Sequence, residues 1–187
     1  MSDLESMRVG FGRGLNAVGS KSPEIVALSA DLAESTQVSQ FKDAFPDRYI
    51  EVGVAEQNLV TVASGLAHAG KHPFAASYAA FSPGRNWEQI RTTICLNDQP
   101  VVIIGSHAGL TVGPDGATHQ MLEDIALMRS LPNMTVISPG DSHEAEQVAE
   151  FLANYDHPVY VRLCREKTPI FLQDKQFEFG KARILKQ

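Results

Sequence analysis

Short apolar runs alternate along this chain with longer stretches of helical periodicity. The runs Ile25–Ser29, Ile50–Val52 (led in by Arg48 and Tyr49), Pro73–Ala76, Val101–Gly105, Met134–Ser138 and Val159–Leu163 have the length and residue types of strands. Between them the pattern predicts helices over about 4–18, 56–69, 84–96, 120–130 and 142–154. Val101-Val102-Ile103-Ile104 has no polar alternation, as a strand covered on both faces requires. Asp141-Ser142-His143-Glu144 reads as a helix start, with Asp141 or Ser142 as its cap. Strands alternating with helices imply an α/β fold, a three-layer sandwich in which a mainly parallel sheet is covered by helices on both faces. No repeat, low-complexity tract or linker interrupts the pattern, so residues 1–187 are expected to form a single domain.

In such a sheet, ligands gather outside the carboxyl ends of the strands. The segments that follow the strands are therefore the informative ones: Ala30 to Ser35, Gly53 to Gln57, Ser77 to Phe81, Ser106 onward, and Arg165. Glu56 follows a strand and opens a helix of small and apolar residues. There it serves either as a first-turn capping carboxylate or as an enclosed functional one, and an enclosed carboxylate is costly without a partner. Tyr78 and Phe81, three residues apart, can face one way and stack on a flat heterocycle, or can simply fill the core. The stretch His107 to Gln120 carries two histidines, Asp115 and three glycines. A loop of this length in a compact domain points to function, with imidazoles able to bind hydroxyls or phosphate or to move protons. Its His/Asp spacing fits no common metal-ligand pattern. Arg8, Arg85, Arg162 and Arg165 can clamp an anion, against the plainer account of solvated surface charges.

Composition narrows the classes. The chain is 43% apolar and 20% charged, as in an ordinary globular protein. A net charge of −6 without any basic run argues against a nucleic-acid partner. Apolar stretches fall well short of the ~18–20 residues a membrane span needs, and the polar N-terminus does not resemble a signal peptide. Cys95 and Cys164 lie in apolar contexts and read as buried free thiols. A cytoplasmic location is the expectation.

Five ordered segments carry a family resemblance. They are Ser29-Ala30-Asp31-Leu32, then Arg48-Tyr49-Ile50 leading to Gly53-Val54-Ala55-Glu56, then the aromatic pair, then Gly113-x-Asp115-Gly116-x-Thr118-His119-Gln120. The last runs from Arg129-Ser130-Leu131-Pro132-Asn133-Met134 to Arg165. From about residue 25 to 170 the chain resembles the pyrimidine-binding domain of transketolases. The resemblance implies the thiamine diphosphate-binding fold and a share in two-carbon ketol transfer between sugar phosphates.

It further implies roles for single residues. Glu56 resembles the glutamate that hydrogen-bonds the aminopyrimidine of thiamine diphosphate and sets its reactive tautomer. Tyr78 and Phe81 resemble the aromatic wall against the pyrimidine, Val54 an apolar support of the cofactor, and Asp31 with Leu32 a strand-end pair near the thiazolium and the subunit contact. His107, His119 and Asp115 resemble substrate-channel residues that meet the sugar oxygens, with both histidines in the catalytic set. Arg8, Ser35 and Arg165 match positions that hold a sugar phosphate. Arg85, just past the aromatics, is a cofactor or substrate neighbour without a defined role.

The family's diphosphate half, marked by Gly-Asp-Gly and a downstream Asn, has no counterpart in this sequence. Nor does its third domain. The resemblance therefore implies a split transketolase subunit, active only with a diphosphate-binding partner that holds Mg²⁺ (or Ca²⁺), the natural symmetric form being α2β2. A 1-deoxyxylulose-5-phosphate synthase-like subunit and a 2-oxo-acid dehydrogenase beta-like subunit are the enzymatic alternatives. A regulatory or scaffolding remnant is the non-enzymatic one.

Overall fold

A computed structural model describes residues 4–172, 176–181 and 184. Its strands are β1 (Leu4–Ser6), β2 (Ile25–Ser29), β3 (Tyr49–Glu51), β4 (His72–Tyr78), β5 (Val102–Ser106), β6 (Thr135–Ile137), β7 (Val159–Arg162) and β8 (Lys167–Pro169). The α-helices are α1 (Met7–Lys21), α2 (Ala33–Thr36), α3 (Ser39–Ala44), α4 (Glu56–His68), α5 (Trp87–Gln89), α6 (Asp124–Arg129) and α7 (Ser142–Leu152). Six strands form one sheet in the order β3-β2-β4-β5-β7-β6, every neighbouring pair parallel. β1 and β8 form a separate antiparallel ribbon.

The period-two geometry of a strand divides the central residues between two cores. Ile25, Ala27, Val102 and Ile104 face the layer built by α1, α3 and α7. Val26, Leu28 and Ile103 face the layer that holds α4, α6 and the Ile90–Cys95 π-helix. Both faces are thus covered, and β2, β4 and β5 are buried almost throughout. The α1–α7 contact is close because α1 carries glycines. A Cβ on Gly10 would lie 1.9 Å from the carbonyl oxygen of Ser142, and one on Gly14 would lie 2.5 Å from that of Glu146.

All six expected strands form, within two residues of the predicted limits. The helix expected over 4–18 begins instead at Met7, because Leu4–Ser6 pairs with Lys167–Pro169. The 84–96 stretch is one helical turn running into a π-helix, and 120–130 shortens to Asp124–Arg129. Asp141 is the cap of α7, accepting from the Glu144 amide at 2.9 Å. Of the two thiols, Cys95 is fully buried and burial pushes it up to about 12, whereas Cys164 is only half-buried. Among the described residues no helix is long and apolar enough to cross a membrane.

Candidate active site

Because the sheet is parallel, the segments after β2, β3, β4, β5 and β7 leave from one edge. The chain runs from β2 to β3 on one side and then returns to β4 on the other. That reversal is where an open α/β sheet forms its crevice.

Glu56 occupies the first turn of α4 and is 5% exposed. Both of its carboxylate oxygens accept from Arg85 Nη1, at 3.2 and 3.3 Å. The guanidinium carbon of Arg85 lies 4.1 Å from the Phe81 ring centroid. Fully buried Asn86 fixes this corner: its amide donates to the Glu56 carbonyl at 2.8 Å and to Ser82 Oγ at 3.1 Å. A cavity of about 620 Å³ adjoins the corner, lined by Val54 to Asn58, Thr61, Arg85 and Gln89. Val54 stands at its mouth, 70% exposed.

Phe81 is half-buried and lies 5.8 Å from Tyr78 at an interplanar angle of 14°. Tyr78 is buried and stacks on His107, with centroids 3.7 Å apart. His119 closes the group edge-on, 5.2 Å from Phe81 and 6.2 Å from Tyr78. The two aromatics and the two histidines, drawn from the end of β4, the turn after it and the loop after β5, thus form one cluster. His107 takes a left-handed φ of 56°, rare for a side chain of this size, and its Nδ1 meets Ser106 Oγ at 2.9 Å. Burial, then the positive charges of Arg8 and Arg165 and the nearby His119, push its pKa down to about 3. The ring is therefore neutral at ordinary pH, with one donor and one acceptor nitrogen.

Arg8, Ser35 and Arg165 also converge. Arg8 donates to the carbonyl of Ser35, to the carbonyl of Arg165 at 3.1 Å and to Ser6 Oγ at 3.1 Å. Burial and the Arg165 charge both lower its pKa. Arg165 pairs with Glu166 at 2.8 Å and underlies the loop backbone at Gly113, where φ is +88° and a Cβ would fall 2.7 Å from Arg165 Nη1. The loop's neck is fastened by the Gly109–Met121 bridge. Asp115 is exposed on this loop and makes no side-chain bond to the histidines or arginines above. Arg162, by contrast, is committed below the site. With the Tyr160 hydroxyl it donates to fully buried Asp124, at 3.0 and 2.9 Å.

Asp31 has a left-handed φ of 61° and an exposed side chain. Glu51 holds this strand end, accepting from the amides of Asp31 at 2.8 Å and Gly53 at 2.9 Å. Burial opposes ionisation of Glu51, but the Tyr49 hydroxyl and these amides outweigh it and hold the carboxyl below its usual range. Leu32 is half-buried beside it. Sequence reasoning passed over Glu51, Asn86 and Ser106. An Asn set between Pro83-Gly84 and Trp87 was the local signal for Asn86.

A buried carboxylate paired with Arg85 over the Phe81 ring, an imidazole pair and two further cationic side chains thus gather at the carboxyl edge of the sheet. The fold and the motif order go further: this chain belongs to the transketolase pyrimidine-binding domain family, whose profile matches residues 5–170. It is 46% identical over 184 residues to a candidate transketolase C-terminal section of Methanocaldococcus jannaschii, covering 97% of this chain and 58% of that protein. It is 39% identical over 179 residues to the 1-deoxy-D-xylulose-5-phosphate synthase of Dictyoglomus thermophilum, covering 94% of this chain and 29% of the relative. Among solved structures, a split-gene transketolase described as an inactive beta4 tetramer superposes with a TM-score of 0.86 at 43% identity, covering 97% of this chain and 58% of that one. The chain resembles the C-terminal-side subunit of a split transketolase and spans little more than half the length of such relatives.

Proposed function

We propose that this chain is one domain supplying the pyrimidine side of a thiamine diphosphate site in a transketolase, which moves a two-carbon ketol unit between sugar phosphates. The observation that carries the reading is Glu56: a carboxylate 5% exposed, linked through Arg85 to the face of Phe81 and lining a cavity of about 620 Å³. A buried carboxylate suits a proton shared with a weakly basic ring nitrogen, and Phe81 offers the flat face such a ring needs. Tyr78 backs Phe81 and carries His107, while Val54, Asp31 and Leu32 line the side toward a second chain. Bound thiamine diphosphate supplies the electron sink for carbon–carbon bond cleavage. Neutral His107, with one donor and one acceptor nitrogen, and His119 hydrogen-bond the sugar oxygens, and Asp115, on its exposed loop, reaches the adjoining hydroxyl. Arg8 and Arg165, with Ser35, hold the substrate's phosphate through charge-assisted bonds.

The likeness to split transketolases supports assigning the diphosphate and its Mg²⁺ to a partner subunit in an α2β2 assembly. The test is to purify this chain with a candidate partner bearing Gly-Asp-Gly and assay glycolaldehyde transfer from xylulose 5-phosphate to ribose 5-phosphate. A parallel assay supplies pyruvate and glyceraldehyde 3-phosphate. Transfer only in the first, and only with both subunits present, supports the reading. Activity only in the second assay replaces it with the synthase reading, and full activity from this chain alone refutes the shared site.

A further inference from the structure

Arg85 occupies the place that the preceding reading gives to the cofactor's aminopyrimidine. Its guanidinium lies over Phe81, 4.1 Å from the ring centroid, and donates to both oxygens of Glu56. A guanidinium is planar, stacks on aromatic rings and donates hydrogen bonds in its own plane. Those are the properties an aminopyrimidine would use against the same two side chains. Two planar groups cannot share one ring face and one carboxylate.

We propose that Arg85 is a resident stand-in: it lies on Phe81 and neutralises Glu56 while the site is empty, and swings aside when the site is loaded. The inference rests on the assignment of Glu56 and Phe81 to the pyrimidine. Three features support a movable rather than a fixed arginine. The Arg85 side chain is 53% exposed while the Glu56 side chain is 6% exposed, so one partner can withdraw into water and the other cannot. Arg85 lines the cavity beside Glu56, which gives the side chain room to turn. The backbone at this corner is held independently: the Arg85 amide donates to the Phe81 carbonyl at 2.9 Å, and Asn86 anchors the start of α4.

The physical need is plain. A buried carboxylate without a partner is costly, and an open aromatic face beside it invites non-specific association. A tethered cation removes both liabilities from a half-site awaiting its other subunit. The consequence is competition: the strength of the Arg85–Glu56–Phe81 contact is subtracted from cofactor affinity.

The experiment titrates thiamine diphosphate, with Mg²⁺, into the complex of this chain and its diphosphate-binding subunit, by calorimetry. Arg85→Ala should tighten the dissociation constant about fivefold, as losing a half-exposed ion pair worth about 1 kcal/mol implies. Arg85→Lys, which keeps the charge but not the plane, should fall between. In a Glu56→Gln background Arg85→Ala should lose most of its effect, because the charge it competes for is gone. Weaker binding by Arg85→Ala would make Arg85 a cofactor contact and overturn the proposal, as would unchanged affinity. Failure of the wild-type complex to bind thiamine diphosphate would instead sink the parent reading of Glu56 and Phe81, and this inference with it.

Discussion

His107 titrates against the stability of the fold, and the size of the effect can be worked out. Burial, Arg8, Arg165 and His119 lower its pKa from 6.5 to about 3. Between those values the unfolded chain holds a proton on this imidazole and the folded chain does not. The unfolded state binds more protons there, so stability rises with pH through the window and is lost as pH falls below about 6.5. From pH 7.5 to pH 5 the loss from this one group is about 2 kcal/mol. It reaches its limit of roughly 5 kcal/mol only near pH 3. The measurement is urea unfolding of the wild type and of His107→Asn at pH 7.5, 6.5 and 5. Asn tolerates the left-handed backbone at this position, so the substitution does not add strain of its own. His72, whose pKa burial also lowers, leaves a residual slope in both proteins, so the difference between them is the quantity to read. The window stays above the range where carboxylates titrate. Identical pH dependence in the two proteins would refute the argument, since it would mean that folded His107 protonates near 6.5.

Further outcomes follow from other contacts. Glu56→Gln should leave assembly with the partner intact and lower ketol transfer by about a hundredfold or more, measured with saturating cofactor. Arg8→Ala and Arg165→Ala should each raise KM for a phosphorylated sugar about ten- to hundredfold, with less change in kcat. An equal fall in kcat without any rise in KM would remove the arginines from the phosphate. Asp124→Ala leaves Arg162 and the buried Tyr160 hydroxyl without their acceptor and should cost about 3–5 kcal/mol in urea unfolding. Gly10→Val forces α1 away from the Ser142 carbonyl and should cost about 3 kcal/mol in the same assay.

The sheet was legible because its strands are buried on both faces, and Val101 to Ile104 or Val159 to Leu163 announce that without help from distant residues. The edge of the sheet that carries chemistry followed from the parallel order alone. Leu4–Ser6 was misread as helix because its partner lies at Lys167–Pro169, and no local period encodes such a pairing. The short helices α2 and α3 were missed for a related reason: each is too brief to show a full apolar face. At the site, Glu56, Phe81 and the histidine loop stood out by residue type. Their mutual contacts did not. The Arg85–Glu56 pair and the Asn86 anchor join residues about thirty positions apart, which no local period encodes. Arg165, singled out after the last strand, lies under the loop, whereas Arg162 three residues earlier is bound to Asp124, a contact no local pattern encodes.

The β1–β8 ribbon places Leu4 opposite Pro169, so the two flanks of the chain meet at one doorway, beyond which Leu172 returns to the core and Phe177 packs against Phe151. Each doorpost carries one of the arginines proposed to hold phosphate: Arg8 follows the first strand within a turn of α1, and Arg165 precedes the last. Arg8 bolts the two together by donating to the Arg165 carbonyl, with Ser6 Oγ donating to the same oxygen at 3.1 Å. A cut at this doorway severs no strand of the six-stranded sheet, but one made after Pro169 removes the core contacts of Leu172 and Phe177. An anion gripped by Arg8 and Arg165 would also latch the door, and slower hydrogen exchange at the Leu4–Ser6 amides would register it far from the reacting carbon.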